Sequence, residues 1–264
     1  MTFQYISDIH LEHYKLEEID KVIPELKADI LILAGDIGYP EQIQYKTYIE
    51  KVSKIWKKVF VIPGNHEYYQ LNKKYNEYKT KEEIDLVIED VITDFANVFF
   101  LNNSKIEFDY NEKKYVILGT TLFSDVGPTN YALMANMNDF RCIYKKLNDN
   151  IKTIHLLDYI KYYNEAKTFI EKELSYYKET EYNVVVVTHH SPSFQCIDDK
   201  YKSSKIVKAF YTDLEYLIKD IYCWIYGHTH SQKEISINGI QVVNNSIGYI
   251  DEIDINKINL VRII

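Results

Sequence analysis

Proline and glycine are scarce in this chain of 264 residues, at 5 and 8, and no Pro-rich, Gly-rich or low-complexity stretch divides it. No internal repeat of fixed period is visible either. The length suits one large domain with a substantial core, and a single domain spanning residues 1–264 is expected. Cysteine occurs three times, at Cys142, Cys196 and Cys223, scattered and without a CxxC pair. That excludes a disulfide framework and a Cys-rich structural zinc site, and the thiols read as reduced core residues. Arginine occurs twice, at Arg141 and Arg262, and 39 acidic residues outnumber 31 basic ones for a net charge of −8. An extended basic face for nucleic acid is thereby disfavoured. A phosphate-bearing ligand is not excluded, because bound divalent cations can reverse the local field of an acidic protein. No segment approaches the roughly 18 uninterrupted apolar residues of a membrane span. The start "MTFQYISDIH" has no basic region followed by an apolar run. A soluble, cytoplasmic protein without membrane contact is expected.

What is abundant is tyrosine, with 25 residues, which reads as half-buried amphipathic surface rather than as a functional set. More informative is a recurring pair: a short apolar strand and a polar tip. "TFQYIS" alternates as a strand does and runs into Asp8 and His10. Leu16, Ile19, Ile23 and Leu26 share one helical face, with Pro24 ending or kinking that helix. "DILILAG" reads as a strand buried on both faces and stops at Asp36. A helix over about residues 41–57 follows, then "KVFVIPG" ending at Asn65-His66. Beyond a hairpin-like region ("VFFLNNSKIEFDYNEKKYVILGTTLF") and a long helix over about residues 148–178, "NVVVVTHH" delivers His189 and His190. "YCWIYGHTH" delivers His228 and His230, and a closing hairpin turns at Asn238-Gly239. The alternation of strand and helix predicts an α/β fold with largely parallel pairing at its start, and sites in such sheets collect beyond the carboxyl ends of strands.

One histidine beside a turn reads more often as a solvated loop residue than as a ligand. Here six of the eight histidines follow apolar strands, and only His13 and His155 lie elsewhere, as surface or helix residues. The tips offer carboxylate oxygen (Asp8, Asp36), imidazole nitrogen (His10, His189, His228, His230) and amide oxygen (Asn65). Mixed nitrogen and oxygen donors without thiolate suit Mn, Fe, Zn, Ni or Co. In extended backbone the i, i+2 spacing of "DIH" and "HTH" points both groups to one side. Trp56 and Trp224 read as core.

The ordered set Asp8-x-His10, Gly35-Asp36, Gly64-Asn65-His66-Glu67, His189 and Gly227-His228-Thr229-His230 resembles the calcineurin-like metallophosphoesterase superfamily over nearly the whole chain. The resemblance implies a four-layer αββα sandwich with a dinuclear metal site at the strand ends. It implies one cation on Asp8, His10 and His230, a second on Asn65, His189 and His228, and Asp36 bridging both. A hydroxide held between two divalent cations about 3.5–4 Å apart would be the nucleophile. His66 would act as general acid or oxyanion stabiliser, and Glu67 would orient a loop or a histidine rather than bind metal.

The expected activity is hydrolysis of a small phosphate mono- or diester, by a phosphatase or phosphodiesterase. "GDIGYP" lacks the Asp and Arg that follow this block in the serine/threonine protein phosphatases, which removes a phosphate clamp and disfavours that subgroup. "GNHEYY", "GTTLF", "MNDFR", "THHSPS" and "WIYGHTH" are similar to a compact bacterial-type group. In its closing NPRGY pattern this chain has Ser246 and Ile247 in place of Pro and Arg. Arg141 and His190 are candidate substrate contacts, against an ordinary ion pair and a supporting hydrogen bond. Loops around residues 68–80, 123–145 and 192–205 are expected to wall the pocket. The rival readings are a nuclease and a non-catalytic metallophosphoesterase-like scaffold that binds protein partners; the presence of every ligand position and of His66 disfavours the scaffold.

Overall fold

The computed structural model describes residues 2–71, 73–74, 77–250 and 260–264. Strands β1 (Phe3–Ile6), β2 (Ile30–Ala34), β3 (Lys58–Ile62) and β4 (Val98–Phe100) pair in that order, all parallel. β2 is buried at every position, as its unbroken apolar run requires. Its alternate side chains serve two cores. Leu31 and Leu33, with Val59 and Val61, pack beneath Tyr45, Tyr48, Ile49 and Val52 of helix α1 (Ile43–Ile55). Ile30 and Ile32, with Phe60 and Ile62, face the second sheet. Helix α2 (Lys81–Ile92) is capped by Thr80, whose hydroxyl accepts from the Glu83 amide while the Glu83 carboxylate accepts from the Thr80 amide.

The second sheet begins with the hairpin β5 (Ser104–Tyr110) and β6 (Lys113–Thr120). Two short helices follow, α3 (Tyr131–Met134) and α4 (Asp139–Cys142), and then a separate hairpin of β7 (Tyr144–Leu147) and β8 (Asn150–Thr153). Helix α5 (Leu156–Tyr177) leads to β9 (Asn183–Thr188), β10 (Cys223–Tyr226), β11 (Gln232–Ile237) and β12 (Ile240–Asn245). The six-stranded order is β11-β12-β10-β9-β6-β5, parallel across its centre and antiparallel at both edges. Ile117, Val185, Val187 and Ile225 meet the first sheet, whereas Leu118, Val186, Trp224 and Val242 meet Tyr159, Ala166 and Ile170 of α5. The result is the expected four-layer arrangement of helices, sheet, sheet and helices.

The sheets also join at one edge. Beyond β1 and β12, Ser7 bridges Ser246, with Ser7 N donating to the Asn245 carbonyl at 3.1 Å and Ile247 N to the Ser7 carbonyl at 3.0 Å. The closing hairpin turns at Asn238 (φ 51°) and Gly239 (φ 81°) as predicted. Trp56, Trp224 and the three free cysteines are buried.

Three local expectations change. Leu16–Val22 is a 3-10 segment that buries Ile19 and Val22, three residues apart as its repeat requires, while Leu16 at its start and Leu26 beyond its end stay exposed. "VFF" pairs with β3 in the first sheet instead of opening the hairpin. The long helix starts at Leu156, not near Asn148, since Asn148 takes a left-handed φ of 54° and turns the β7–β8 hairpin. No helix among the described residues is long and apolar enough to cross a membrane.

Candidate metal centre

The parallel strands β1, β2, β3, β9 and β10 bring their carboxyl ends to the same edge of the sandwich, so five tips meet there. Asp8, His10 and His230 form one cluster, and Asp36, His189 and His228 a second, each with potential ligand atoms within 4.8 Å of one another. In the first, Nε2 of His10 lies 3.1 Å from Nε2 of His230, and Oδ1 of Asp8 is 3.5 Å from the same His230 nitrogen. In the second, Nε2 of His189 lies 3.2 Å from Oδ2 of Asp36 and 3.1 Å from Oδ1 of Asn65. Asp36 Oδ2 is also 4.0 Å from Nε2 of His10, which places this carboxylate between the clusters.

The backbone is bent to achieve this. Asp8, His10, Asp36, His228 and His230 all have positive φ, at 54°, 55°, 52°, 66° and 45°. Each left-handed non-glycine residue costs on the order of 1–2 kcal/mol, a kind of strain that gathers at functional sites. Backbone bonds between loops hold the conformation: Asp8 N donates to the Gly35 carbonyl at 2.9 Å and His10 N to the Asp36 carbonyl at 3.0 Å. The glycines of the motifs permit close approach. A Cβ on Gly64 would lie 2.1 Å from Oδ1 of Asp36, and one on Gly35 would lie 2.3 Å from Nδ1 of His189.

Glu67 is buried and accepts three backbone N–H groups, from Gly64 at 2.7 Å, Asp36 at 3.0 Å and Ile37 at 2.7 Å. It thus staples the β2 loop to the β3 loop. Burial and the neighbouring Asp36 push its pKa up to about 7 against those donors. Nδ1 of His189 donates to the Ala34 carbonyl at 2.9 Å, which leaves Nε2 as the nitrogen that could bind a cation. Asp8 accepts from the His228 amide at 3.0 Å and lies 2.7 Å from the Ser246 hydroxyl.

Without a bound cation, burial disfavours charge on these imidazoles, yet Asp36 lifts His189 to about 10. Burial opposes charge on His66 too, but Asp36 and Glu12 raise it to about 8. Burial is the main cause that lowers His10 and His228. Buried carboxylates facing converged imidazole nitrogens are a site whose unbalanced charge a divalent cation would compensate, and the donor set fits first-row divalent ions.

Four contributors were not singled out from sequence for these roles. The Asn65 amide donates to the Tyr69 hydroxyl at 2.9 Å, and that hydroxyl donates to Oδ2 of buried Asp139 at 2.8 Å. This relay turns Oδ1 of Asn65 toward His189. Tyr69 and Asp139 lie in "GNHEYY" and "MNDFR", blocks that carried the resemblance without a role. Tyr249 places its hydroxyl 3.1 Å from Nε2 of His66 and its ring 4.4 Å from that of His10. Glu12 contacts His10 and His66. For Tyr69→Phe we expect about tenfold weaker Mn²⁺ binding at one of two sites in calorimetry and little change at the other, because the amide of Asn65 is then free to turn. Equal binding at both sites would remove the relay from the account.

A cavity of about 420 Å³ opens over Asp36, Asn65, His66, His228 and His230. Its walls come from residues 136–139 and 197–210 and from Tyr249; of the 68–80 loop, part of which lies outside the described residues, Tyr69 takes part. Arg141 is not brought to it. Its guanidinium is exposed and donates to the Ala135 carbonyl at 2.7 Å, because α4 turns Asp139 inward and Arg141 outward. His190 is fully buried and packed against His228 with ring centres 4.0 Å apart and planes tilted by 34°, with Nδ1 3.3 Å from the Thr121 carbonyl. Burial and His189 lower its pKa to about 3, so it supports His228 as a neutral ring behind the cavity wall instead of facing substrate. Ile247, standing where the compact group has Arg, is buried in the core below β1. His13 is half exposed and His155 lies at the start of α5.

Comparisons with known proteins agree with this geometry. Residues 1–232 match the family model for calcineurin-like phosphoesterases. An uncharacterized protein of Acanthamoeba polyphaga mimivirus is 30% identical over 266 residues, covering 94% of this chain and 91% of that one. Among solved structures, a phosphopantetheinyl hydrolase from Mycobacterium tuberculosis superposes with a TM-score of 0.74 at 16% identity, covering 100% of this chain and 95% of that one. A protein from Thermus thermophilus gives a TM-score of 0.53 at 13% identity, with coverage of 93% and 88%. With the family model spanning most of the chain and five strand tips gathered at one edge, this protein belongs to the calcineurin-like phosphoesterase family.

Proposed function

We propose that the chain is one metallophosphoesterase domain that hydrolyses a small phosphate ester bearing an uncharged organic group, with diesters preferred to monoesters. The single-domain reading is supported by the pairing of residues 245–247 with Ser7 and of Ile264 with Phe3. Asp8, His10 and His230 would hold one divalent cation, Asn65, His189 and His228 a second, with Asp36 shared. Two such cations would activate water and neutralise the charge of the transferring phosphoryl group. His66 is the proton donor to the leaving oxygen, through Nε2, which faces the cavity beside Tyr249. The observation that carries the substrate class is the cavity wall. Met137, Ile197, Ile206 and Phe210 line it with Asn136, Asn138 and Asp198, and no lysine or arginine is among its described lining residues. A diester carries one negative charge at the phosphoryl group, whereas a monoester dianion or a polyphosphate calls for further cationic partners.

The test is a panel of p-nitrophenyl phosphate, bis-p-nitrophenyl phosphate, a phosphopantetheinyl ester, ATP and a single-stranded oligonucleotide, assayed with Mn²⁺, Ni²⁺, Co²⁺ and Zn²⁺. Diesters should show the highest kcat/KM, and ATP and the oligonucleotide the lowest. Preferred turnover of ATP or of the oligonucleotide would overturn the substrate class. Absence of any turnover by metal-replete protein would overturn the enzyme reading.

A further inference from the structure

Glu12 lies in the turn Leu11–His13, two residues beyond His10. The left-handed backbone of His10 turns the chain back, and His13 N donates to the His10 carbonyl at 3.0 Å. The Glu12 side chain is therefore folded beneath the site, with 3% exposure. Its Oε1 is 3.1 Å from Nδ1 of His10 and 3.0 Å from Nδ1 of His66. One buried carboxylate oxygen is shared by an imidazole of the first metal cluster and by the imidazole facing the cavity.

We propose that Glu12 is a positioning residue that fixes the tautomer and ring orientation of both His10 and His66. The inference rests on the function proposed above. A carboxylate only accepts, so each neutral imidazole meeting it must carry its proton on Nδ1. Nε2 is then a lone-pair donor on both rings. On His10 that nitrogen points at His230, 3.1 Å away, and into the cluster with Asp8. On His66 it points at the Tyr249 hydroxyl, 3.1 Å away, at the cavity wall. The same oxygen thus prepares one ring to bind a cation and the other to take up and deliver a proton at Nε2. A carboxylate behind a ligand histidine is a common means of raising ligand basicity, and loss of such a partner costs about 10–100-fold in metal affinity or activity.

Glu12→Gln tests both arms. Calorimetric titration with Mn²⁺ should show roughly 10–100-fold weaker binding. At saturating Mn²⁺, kcat should fall by a similar factor for a phenyl ester, whose leaving oxygen needs a proton, and by less for the p-nitrophenyl ester, with KM little changed. In a His66→Ala background the same substitution should weaken Mn²⁺ binding equally but lower kcat no further. Nitrogen-15 spectra of the zinc-loaded wild type at alkaline pH should show both His10 and His66 protonated at Nδ1, which reads the proposal without any variant having to fold. A wild-type spectrum with either ring protonated at Nε2 overturns it. So does unchanged Mn²⁺ affinity together with an equal kcat loss for both leaving groups. If the wild type hydrolyses none of the esters, the proposed function fails, and the titration and spectra still decide the role of Glu12.

Discussion

His66→Ala should leave both cations bound and lower kcat by roughly 10²–10⁴-fold for an ester with a poor leaving group, the usual contribution of a positioned general acid. The argument starts from position. His66 follows Asn65 at the end of β3, and its backbone N–H donates to Oδ1 of Asp36 at 2.8 Å, so the residue is anchored by the carboxylate at the centre of the site. Nδ1 is taken by Glu12, and the ring packs against Tyr69 with centres 4.3 Å apart and planes tilted by 33°. Only Nε2 is turned toward the cavity, where Tyr249 meets it. His66 also groups with His10 and Glu12 in a triad able to hold a cation, but it belongs to neither of the two clusters proposed to do so, so its loss should spare metal content, measured as two equivalents by elemental analysis. The loss of rate should shrink for p-nitrophenyl esters, whose leaving group departs as a stable anion. A kcat within a factor of about three of wild type for a phenyl ester, far below the general-acid range, would remove His66 from the chemistry.

The strand tips were legible because their signal is local. An apolar run must end where the sheet ends, and Asp, Asn or His at that point is visible without knowing which strands are neighbours. The same holds for the Asn238-Gly239 turn, where two consecutive residues accept positive φ. The β7–β8 hairpin was not legible, since "YKKLNDNIKT" has few apolar residues to display a period of two and the helical pattern that begins at Leu156 can be extended backward through it. Tyr69 with Asp139, Glu12 with His66, and Tyr249 with His66 are separated by 70, 54 and 183 residues. Pairings of that kind depend on tertiary structure, and no spacing rule announces them. Arg141 misled for a related reason. A scarce residue type beside a motif drew a functional reading, whereas its direction is set by a four-residue helix that points its neighbour Asp139 into the site. Ile247 shows the converse, since the backbone path that places Gly248 N on the Asp8 carbonyl at 2.9 Å also turns this side chain into the core.

The second large effect concerns Asp36. Asp36→Asn is expected to reduce bound Mn²⁺ from two equivalents to one or none and to lower kcat/KM by at least about 10³-fold, since two-metal chemistry supplies several kcal/mol of transition-state stabilisation. The substitution is nearly isosteric. An asparagine can still accept from the His66 amide, so the two loops stapled by Glu67 should keep their course. What disappears is the charge between the clusters: Asp36 is 1% exposed, and its Oδ2 lies 3.2 Å from Nε2 of His189 and 4.0 Å from Nε2 of His10. Burial opposes that charge, yet the histidines around it, His189 foremost, hold its pKa well below the ordinary carboxylate value, so it is a full anion at neutral pH. That charge is available to a cation. Each of two cations at about 100 times its dissociation constant adds about 2.7 kcal/mol to the folded state, about 5.4 kcal/mol together. For a chain of this size that raises Tm by roughly 10–20 °C. Wild-type protein should therefore melt higher with Mn²⁺ than with EDTA by about this margin, and Asp36→Asn should lose most of the difference while its melting point in EDTA falls below that of the wild type, because the buried His189 imidazole loses the carboxylate paired with it at 3.2 Å. A variant that keeps two equivalents of metal and the full Mn²⁺-dependent rise in Tm would show that the two clusters bind their cations independently.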